Sequence, residues 1–257
     1  MTAVDLIVSG VTVRFGGLLA VDGVTLVAPA DSITGLIGPN GAGKTTTFNA
    51  CTGAVSVAAG TVRLGDTVLD GFPPAQRAQR GLGRTFQRME LFDGMTVAEN
   101  VAMGPEAHLA GRRPWSQLMA SVRQRSSVRA AAEAAMERCG ITVLADRMAG
   151  DCSTGQRRLV ELARALATPF RFLLLDEPSS GLDHHETEGF GRILEDIVAE
   201  TGKGILLVEH DMTLVRTVCR SAYVLEFGKL IAEGPTAEVM ADPVVQAAYL
   251  GTEAEVA

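Results

Sequence analysis

The chain contains 257 residues, of which 47% are hydrophobic, 21% are charged and 5% are aromatic. This length and apolar content suffice for one well-formed hydrophobic core, although the length alone would also allow two small domains. The formal net charge of −7, from 23 basic and 30 acidic side chains, argues against a general binding surface for nucleic-acid phosphates or anionic lipid, but it allows a small basic site for one nucleotide.

The first third of the chain predicts short β-strands around a glycine-rich turn, because β-branched residues cluster between Gly, Asp and Pro. The predicted strands are Asp5–Ser9, Val11–Phe15, Val24–Val27, Ile33–Ile37, Val62–Leu64 and Val68–Leu69. Gly65-Asp66 joins the last two strands in a hairpin. Helices are predicted at Lys44–Cys51, after the glycine-rich turn, and at Pro74–Gln79, where a proline opens the helix.

The middle of the chain is predicted to be helical. A helix Thr96–Met103 begins with a capping-box pattern, in which Thr96 is the N-cap and Glu99 follows three residues later. The segments Leu118–Val122 and Val128–Cys139 are helical in composition and have apolar residues at helical spacing. A glycine ends the second of these segments.

The last third of the chain alternates short apolar strands with helices, which is typical of a buried parallel sheet. The predicted strands are Arg171–Leu175, Ile205–Val208 and Tyr223–Glu226. The predicted helices are Gln156–Ala167, Thr187–Glu200, Met212–Val218, Thr236–Met240 and Val244–Leu250. The chain therefore has a β-rich start, a glycine-rich turn, a helical insert and βαβ units, in that order.

Cysteine spacing and apolar runs bear on where the protein works. The four cysteines are too far apart for a CxxC metal or redox pair, which indicates reduced thiols in a cytosolic protein. No basic region precedes an apolar run near the N-terminus, so we expect no signal peptide. Uninterrupted apolar runs stay short of the ~18 residues that a spanning helix needs, so we expect the chain not to cross a membrane itself.

The strongest motif is a phosphate loop, Gly38–Thr46, which fits the pattern of glycine, four residues, Gly-Lys and Ser/Thr. It follows an apolar strand and opens a helix, which is the context that the motif requires. The glycines let backbone N–H groups converge on phosphate oxygens, and the helix N-terminus faces the same anion. We expect Lys44 to neutralise the β- and γ-phosphates and the Thr45 hydroxyl to bind Mg²⁺.

A second motif is an apolar strand that ends in two acids, Asp176 and Glu177. Ligands of doubly wound sheets bind at the carboxyl ends of the strands, so we expect Asp176 to lie beside the Mg²⁺ held by Thr45. Glu177 would then orient or deprotonate the water that attacks the γ-phosphate. The pair of motifs predicts an ATP-hydrolysing site.

With these motifs and four shorter ones, the chain resembles the nucleotide-binding subunits of ABC transporters over essentially its whole length. Gln87 matches the Q-loop glutamine, and residues 152–156, Cys-Ser-Thr-Gly-Gln, match the signature usually written Leu-Ser-Gly-Gly-Gln. Residues 179–183 match the D-loop, and His210, after a predicted strand, matches the switch histidine. The resemblance implies an ATPase coupled to transmembrane transport.

The resemblance also implies a role for individual residues, with ATP and Mg²⁺ as the cofactors. The implied catalytic residues are Lys44, Gln87, Glu177 and His210. The implied Mg²⁺ ligands are Thr45, Gln87 and Asp176. The implied nucleotide contacts are Phe15, which would stack on adenine, Val21, Gly38, Pro39, Asn40, Gly41, Ala42, Gly43, Lys44, Thr45, Thr46, Ser153, Gly155, Gln156 and Asp183.

The signature can also be interpreted physically. Ser153 and Gln156 form a capping-box pattern at the start of a helix, and a capped helix N-terminus is an anion site. In the family this site faces the γ-phosphate of the ATP held by the opposite subunit, so two chains would sandwich two ATP molecules. The sequence departs from the family at Cys152, which we expect to fill the pocket of the usual leucine, and at Thr154, which we expect to point away from the nucleotide.

The fold implied by the resemblance is α/β: a P-loop NTPase (RecA-like) core with an N-terminal antiparallel β subdomain and an α-helical subdomain inserted after the Q-loop. We expect one ABC ATPase domain over 1–257, with the β subdomain and core at about 1–88 and 160–257 and the helical subdomain at about 89–159. The insert and the Q-loop should form a groove for a short coupling helix of the permease. We expect apolar contacts there around three residues, Phe92, Met95 and Val97.

The finer resemblance is to the ATPases of branched-chain amino-acid importers, the Liv type. Three segments carry it: Phe15–Val21, Leu91–Asn100 with the helical insert behind it, and Ala248–Gly251. Other members of the family serve urea, short amides, aromatic acids and lipopolysaccharide export. Import of branched-chain amino acids or a related small polar solute is therefore the prediction, and urea or amide import and lipopolysaccharide export are the alternatives.

The implied partners are integral-membrane permease subunits, a second ATPase subunit that is either another copy or a paralogue, and a solute-binding protein. This places the chain at the cytoplasmic face of the cell membrane, attached through the permease. A soluble ABC ATPase that acts on nucleic acid or ribosomes is disfavoured by the single phosphate loop and the acidic balance. A regulator that binds nucleotide without turnover is disfavoured by the presence of Glu177.

Overall fold

The computed structural model of the protein describes residues 4–85, 90–112 and 122–253. The strands in these ranges are β1 Leu6–Phe15, β2 Leu18–Ala28, β3 Ile33–Ile37, β4 Ala59–Leu64, β5 Thr67–Val68, β6 Leu82–Arg84, β7 Phe172–Asp176, β8 Gly204–Val208, β9 Ser221–Glu226 and β10 Lys229–Pro235. The helices are α1 Lys44–Thr52, α2 Pro74–Gln79, α3 Val97–Arg112, α4 Val122–Arg138, α5 Thr154–Ala167, α6 His184–Thr201, α7 Met212–Val218, α8 Thr236–Ala241 and α9 Pro243–Glu253.

The smaller sheet is antiparallel and has the strand order β2-β1-β4-β5. The sequence predicted two strands, Asp5–Ser9 and Val11–Phe15, and this prediction was wrong, because β1 runs through both segments. Gly10 has a φ of 59°, and the register of β1 with β2 shifts beside it. The glycine therefore forms a bulge within one strand instead of a turn between two.

The larger sheet has the strand order β10-β9-β3-β8-β7-β6, in which only the β9–β10 pair is antiparallel. Every residue of β3, β7 and β8 is buried. Their apolar runs are continuous because both faces of this sheet are covered. Since β3, β8 and β7 are parallel neighbours, the loops that follow them lie at one edge of the sheet.

Two hydrophobic clusters cover the two faces of the larger sheet. Leu173 and Leu175 of β7 pack with residues of α5, α6 and α7, whereas Leu174 faces α1 and the smaller sheet. This α/β architecture agrees with the fold that the sequence predicted. The helices α3, α4 and α5 pack against one another.

Two strands of the larger sheet, β6 and β10, were not predicted. β6 has only three residues, and its Gly83 lies so close to the ring of Phe170 that a Cβ would overlap it. β10 contains Gly234 and ends in Pro235 at the sheet edge, where proline is tolerated. Both strands depend on a neighbouring strand, so their own composition gives a weak signal.

The helices α3 and α4, which lie between β6 and β7 in the sequence, differ from the prediction in length. α3 begins with the predicted capping box of Thr96 and Glu99 but continues past Met103, through Pro105. α4 is one helix from Val122, and the remainder of the predicted segment Leu118–Val122 lies outside the described residues. Within the described residues, no helix has both the length and the apolar character needed to cross a membrane.

Arg77 fixes the end of α1. It is buried, and its guanidinium donates to the carbonyl oxygens of Ala50 (2.8 Å), Cys51 (2.7 Å) and Phe72 (2.9 Å). The bonds to Ala50 and Cys51 satisfy carbonyl groups of the last turn of α1, which has no following residues to donate to them within the helix. The position of α1, and of the loop that precedes it, is thereby tied to α2.

The cysteines are structural. All four are free and buried. Burial raises the pKa of Cys51, Cys139 and Cys219 to about 12, so these three remain neutral thiols at physiological pH.

Candidate nucleotide site

The phosphate loop, Gly38–Thr46, connects β3 to α1 and depends on its glycines. Gly38, Gly41 and Gly43 have φ angles of 144°, 79° and 100°. A Cβ at Gly38 would overlap the carbonyl oxygen of Leu225, and one at Gly43 would lie 2.8 Å from the carbonyl oxygen of Ala20. Both the backbone angles and the space therefore require glycine here.

Lys44 lies at the centre of this loop and is 6% exposed. Its ammonium group donates to the carbonyl oxygens of Gly38 (2.6 Å) and Pro39 (2.9 Å). Burial lowers the pKa of Lys44, and the charges of Glu177 and Asp176 oppose this shift. The lysine and the acidic pair, distant in sequence, thus lie near each other at the same sheet edge, as the sequence predicted.

The N-terminus of α1 has no side-chain cap. Its N-cap is Gly43 in a left-handed conformation, and the first turn contains no acid. The N–H groups of such a first turn have no intrahelical acceptor and carry partial positive charge. Thr45 is exposed in this turn and Thr46 is half-buried. This arrangement suits the phosphate groups of a nucleotide.

Asp176 ends β7 and is 2% exposed. Its Oδ2 accepts a hydrogen bond from Arg84 at 2.8 Å, whereas its Oδ1 is buried and has no hydrogen-bond partner among the described residues. Burial raises the pKa of Asp176, and Arg84 opposes this shift. A buried carboxylate oxygen without a partner is costly unless a cation binds it, so this oxygen fits the predicted Mg²⁺. The other predicted ligand besides Thr45, Gln87, lies outside the described residues.

Arg84 was not among the predicted site residues. It ends β6, forms the ion pair with Asp176 and donates to Asn49 Oδ1 of α1 at 2.5 Å. The guanidinium therefore links the acid at the end of β7 to the helix that follows the phosphate loop. The signal in the sequence was slight: a basic residue three positions before Gln87.

Glu177 and His210 lie side by side. Glu177 has a φ of 47°, a conformation that is strained for a non-glycine residue, and its N–H donates to Val208 of β8 at 2.9 Å. His210 follows β8, and its Nδ1 lies 4.0 Å from a carboxylate oxygen of Glu177. Strain of this kind clusters at functional sites. The structure thus brings together Lys44, Asp176, Glu177 and His210.

Glu209, the neighbour of His210, was missed by sequence reasoning. Its side chain is fully buried, at 0% exposure. Its two carboxylate oxygens accept hydrogen bonds from the backbone N–H groups of Ser179 (2.9 Å) and His210 (3.2 Å). An acid directly after a buried apolar strand was the available signal.

Comparison with known proteins identifies the family. The family model described as ABC transporter matches residues 21–180. The chain is 39% identical to the high-affinity branched-chain amino acid transport ATP-binding protein BraF of Pseudomonas aeruginosa, with 95% of this chain and 96% of BraF covered. The chain belongs to the ABC transporter ATP-binding proteins. As a member of this ATPase family it hydrolyses ATP to power transport.

Further comparisons agree with this assignment. A second model, described as branched-chain amino acid ATP-binding cassette transporter, matches residues 229–255. The chain is 36% identical to the lipopolysaccharide export system ATP-binding protein LptB of Escherichia coli, with 93% and 94% of the two chains covered. The solved structure of the ADP conformation of MJ1267, an ATP-binding cassette of an ABC transporter, matches this structure with a TM-score of 0.85 and 31% sequence identity. The match covers 97% of this chain and 100% of the MJ1267 chain.

In this ABC ATPase the signature begins α5 with a complete capping box. Ser153 Oγ accepts from the N–H of Gln156 at 3.2 Å, and the Gln156 side chain accepts from the N–H of Ser153 at 3.0 Å. Cys152 belongs to the hydrophobic core, as predicted for a residue in the leucine position. Thr154 is exposed, and its methyl group lies beside Gly181 of the D-loop.

Gly155 of the signature packs closely against a side chain of the same chain. A Cβ at this position would overlap a carboxylate oxygen of Glu186, which belongs to α6. Glu186 and Asp183 form the capping box of α6, with hydrogen bonds of 2.8 Å and 3.1 Å. The carboxylate of Asp183, predicted as a nucleotide contact, is thus engaged in capping its own helix, and its contact with nucleotide stays a prediction.

The predicted adenine site lies on the smaller sheet. Val21 is fully buried, and its side chain lies next to Gly43 of the phosphate loop. Phe15 is 50% exposed at the end of β1, where it pairs with Leu18. An exposed ring at this position is available for stacking.

A groove of about 450 Å³ lies between α2, α3 and α5. Phe92 lines it and is 51% exposed. Val97, also predicted to line this groove, does not, because it is fully buried in the core, and Met95 is not among the lining residues. The described residues that line the groove are Ala75, Ala78, Gln79, Arg84, Thr85, Glu90, Phe92, Met103, Gly104, Ala107, His108, Glu161, Arg164, Ala165, Thr168 and Phe170.

Proposed function

We propose that this ABC ATPase powers the import of branched-chain amino acids or a chemically related small polar solute. The observation that carries the proposal is the match of residues 229–255 to the branched-chain amino acid cassette model, together with 39% identity to BraF. This C-terminal segment lies outside the part of the chain matched by the general transporter model, which ends at residue 180. It therefore supports the subgroup independently of the nucleotide site.

In the proposed reaction Lys44 and the N–H groups at the start of α1 bind the β- and γ-phosphates of ATP. Glu177 holds and deprotonates the attacking water. His210, whose Nδ1 lies 4.0 Å from a carboxylate oxygen of Glu177, contacts the γ-phosphate. Thr45, Asp176 and Gln87 would hold Mg²⁺, which neutralises charge that develops on the phosphates. Phe15 would stack on the adenine.

A second ATPase subunit is part of the proposal. The capped N-terminus of α5 is exposed at Ser153, so it can face the γ-phosphate of ATP bound by a partner subunit. Ser153, Gly155 and Gln156 then complete the partner's site. The partner would be another copy of this chain or a paralogue.

The proposed transporter also contains permease subunits and a solute-binding protein. The groove beside Phe92 would receive a coupling helix of the permease, which would hold the chain at the cytoplasmic face of the membrane. The helices α3 and α4 and the residues up to α5 would form a helical subdomain, about 89–159, within one ATPase domain. ATP binding would favour the closed pair of subunits, and hydrolysis would reopen it.

The test is transport by the complete system in sealed vesicles. The ATPase, its permease subunits and its solute-binding protein are reconstituted, and ATP-dependent uptake of radiolabelled leucine, isoleucine, valine and urea is measured. We expect uptake of the branched-chain amino acids and loss of uptake with Glu177→Gln. Uptake of urea without uptake of the branched-chain amino acids would show that the proposed cargo is wrong. Failure of the chain to form a complex with any permease would favour a soluble ATPase.

Lipopolysaccharide export is the second candidate, because LptB is 36% identical over 93% of the chain. An exporter would require no solute-binding protein for turnover. Stimulation of ATP hydrolysis by lipopolysaccharide, with no response to the binding protein, would favour export over import.

A further inference from the structure

The carboxylate of Glu209 joins two loops of the site. One loop follows β7 and carries Glu177 and Ser179; the other follows β8 and carries His210. Glu209 accepts the N–H of Ser179 at 2.9 Å and the N–H of His210 at 3.2 Å. The backbone adds a third link, because Glu177 N–H donates to Val208.

Stability alone does not explain a carboxylate at this position. Burial raises the pKa of Glu209, and the hydrogen bonds from Ser179 oppose this shift without reversing it. An acid whose pKa is higher in the folded chain than in the unfolded chain destabilises the fold at neutral pH. Two acceptor oxygens on one side chain are nevertheless what is needed to hold N–H groups of both loops at once.

We propose that Glu209 is a positioning residue, which holds the loop of Glu177 and Ser179 in register with the loop of His210. This inference rests on the proposed function, because it presupposes that Glu177 and His210 act on the γ-phosphate of ATP. The Glu177 backbone is strained, and such a conformation persists only when surrounding contacts hold it. Glu209 supplies such contacts two residues from Glu177, at Ser179, and also at His210.

The test compares steady-state ATP hydrolysis by the wild type and by Glu209→Gln. The amide keeps the shape of the side chain but replaces one acceptor with a donor that faces an N–H group. We expect kcat to fall about 10- to 100-fold, as displacements of a reacting group by about 1 Å do, with little change in KM for ATP. The substitution loses a hydrogen bond, which lowers the stability, and removes the cost of burying a charged carboxylate, which raises it. Because the two effects oppose each other, Tm should change little.

A double-mutant cycle separates positioning from a merely structural role. His210→Ala removes the imidazole that Glu209 is proposed to position, so the effect of Glu209→Gln on kcat should be smaller in the His210→Ala background than in the wild type. Glu188→Gln, at an exposed position of α6, is the matched control and should leave both kcat and Tm unchanged. Wild-type kcat in Glu209→Gln, or additive effects of the two substitutions, would overturn the proposal.

His210→Ala distinguishes failure of this inference from failure of the proposed function. If His210→Ala turns over like the wild type, the catalytic assignment itself is wrong. If His210→Ala lowers kcat and Glu209→Gln does not, the assignment stands and Glu209 has no positioning role.

Discussion

Two helix N-termini in this molecule were both predicted to bind phosphate, and they are built differently. The N-terminus of α1 has a glycine N-cap and no side-chain cap, whereas that of α5 is closed by the reciprocal hydrogen bonds of Ser153 and Gln156. The cation that belongs to the α1 site, Lys44, is buried within the same loop. The signature helix offers a capped and exposed end with no such lysine in its motif.

The two ends also differ in which side chains lie beside them. At α1 the loops after β3, β7 and β8 bring Lys44, Asp176, Glu177 and His210 to one sheet edge. At α5 the neighbours of the helix end are the D-loop and the start of α6, which pack against it in the same chain. In the proposed function the first end holds the reacting groups, and the second would face a partner's nucleotide.

The largest effect is expected from Glu177→Gln, which changes only the first of these sites. Removing a general base typically costs about 10²- to 10⁴-fold in rate, so steady-state phosphate release should fall by that factor. Binding of ATP should persist, because Lys44 and the amides of α1 are unchanged. Phosphate release and equilibrium binding of a fluorescent ATP analogue measure the two properties. Unchanged turnover would show that the catalytic assignment is wrong.

The next effect concerns the packing of α5. In Gly155→Ala the new methyl group meets Glu186, which cannot move away without releasing the N–H of Asp183. We expect a loss of about 1 to 2 kcal/mol in the free energy of unfolding, through overpacking or the lost cap. Denaturant titration measures it.

The sign of this effect should depend on Glu186. In a Glu186→Ala background the methyl group meets no carboxylate, and alanine has the higher helix propensity. Gly155→Ala should then be neutral or stabilising. A destabilisation of equal size in both backgrounds would show that Glu186 is not the reason for the glycine.

Local signals explain why these two helix ends could be predicted from the sequence. The phosphate loop and the capping box at Ser153 are both set by residues within a few positions of each other, so their physics is visible in a short segment. Arg84 meets its partner Asp176 at a separation of 92 residues, and Glu209 meets Ser179 at a separation of 30. Such pairs become apparent only when the strand order is known.

The same reasoning applies to the fold. Strands that are buried on both faces, such as β7, can be predicted from their continuous apolar runs. β6 has three residues and was missed, because it is a strand only through its pairing with β7. The sequence predicted a strand boundary at Gly10, because a glycine that ends a strand and one that forms a bulge within it give the same local signal.

A smaller effect is expected from Ser153→Ala, which removes the cap of α5. Loss of an N-cap typically costs about 1 kcal/mol, which corresponds to roughly 2 to 4 °C in Tm for a chain of this size. Thr96→Ala removes the equivalent cap of α3 and should lower Tm similarly. Only Ser153→Ala should also lower ATP turnover, because only this cap is proposed to face a partner's nucleotide. Equal turnover in both variants would contradict a role of the signature helix end in the reaction.

The smallest effect concerns charge inside α5 and its dependence on pH. Glu161 and Arg158 form a buried ion pair at 3.1 Å in its second turn, yet burial raises the pKa of Glu161 above its usual value of 4.5, with Arg158 opposing. The folded chain therefore binds a proton at Glu161 more readily than the unfolded chain does. As the pH falls through the raised pKa towards 4.5, the wild type should gain stability relative to Glu161→Gln, which has no proton to bind there. Calorimetric Tm values of both proteins across this range measure the difference. If the wild type instead loses stability relative to Glu161→Gln as the pH falls, Arg158 affects the pKa of Glu161 more strongly than burial does. The ion pair of Arg158 and Glu161 would then stabilise α5.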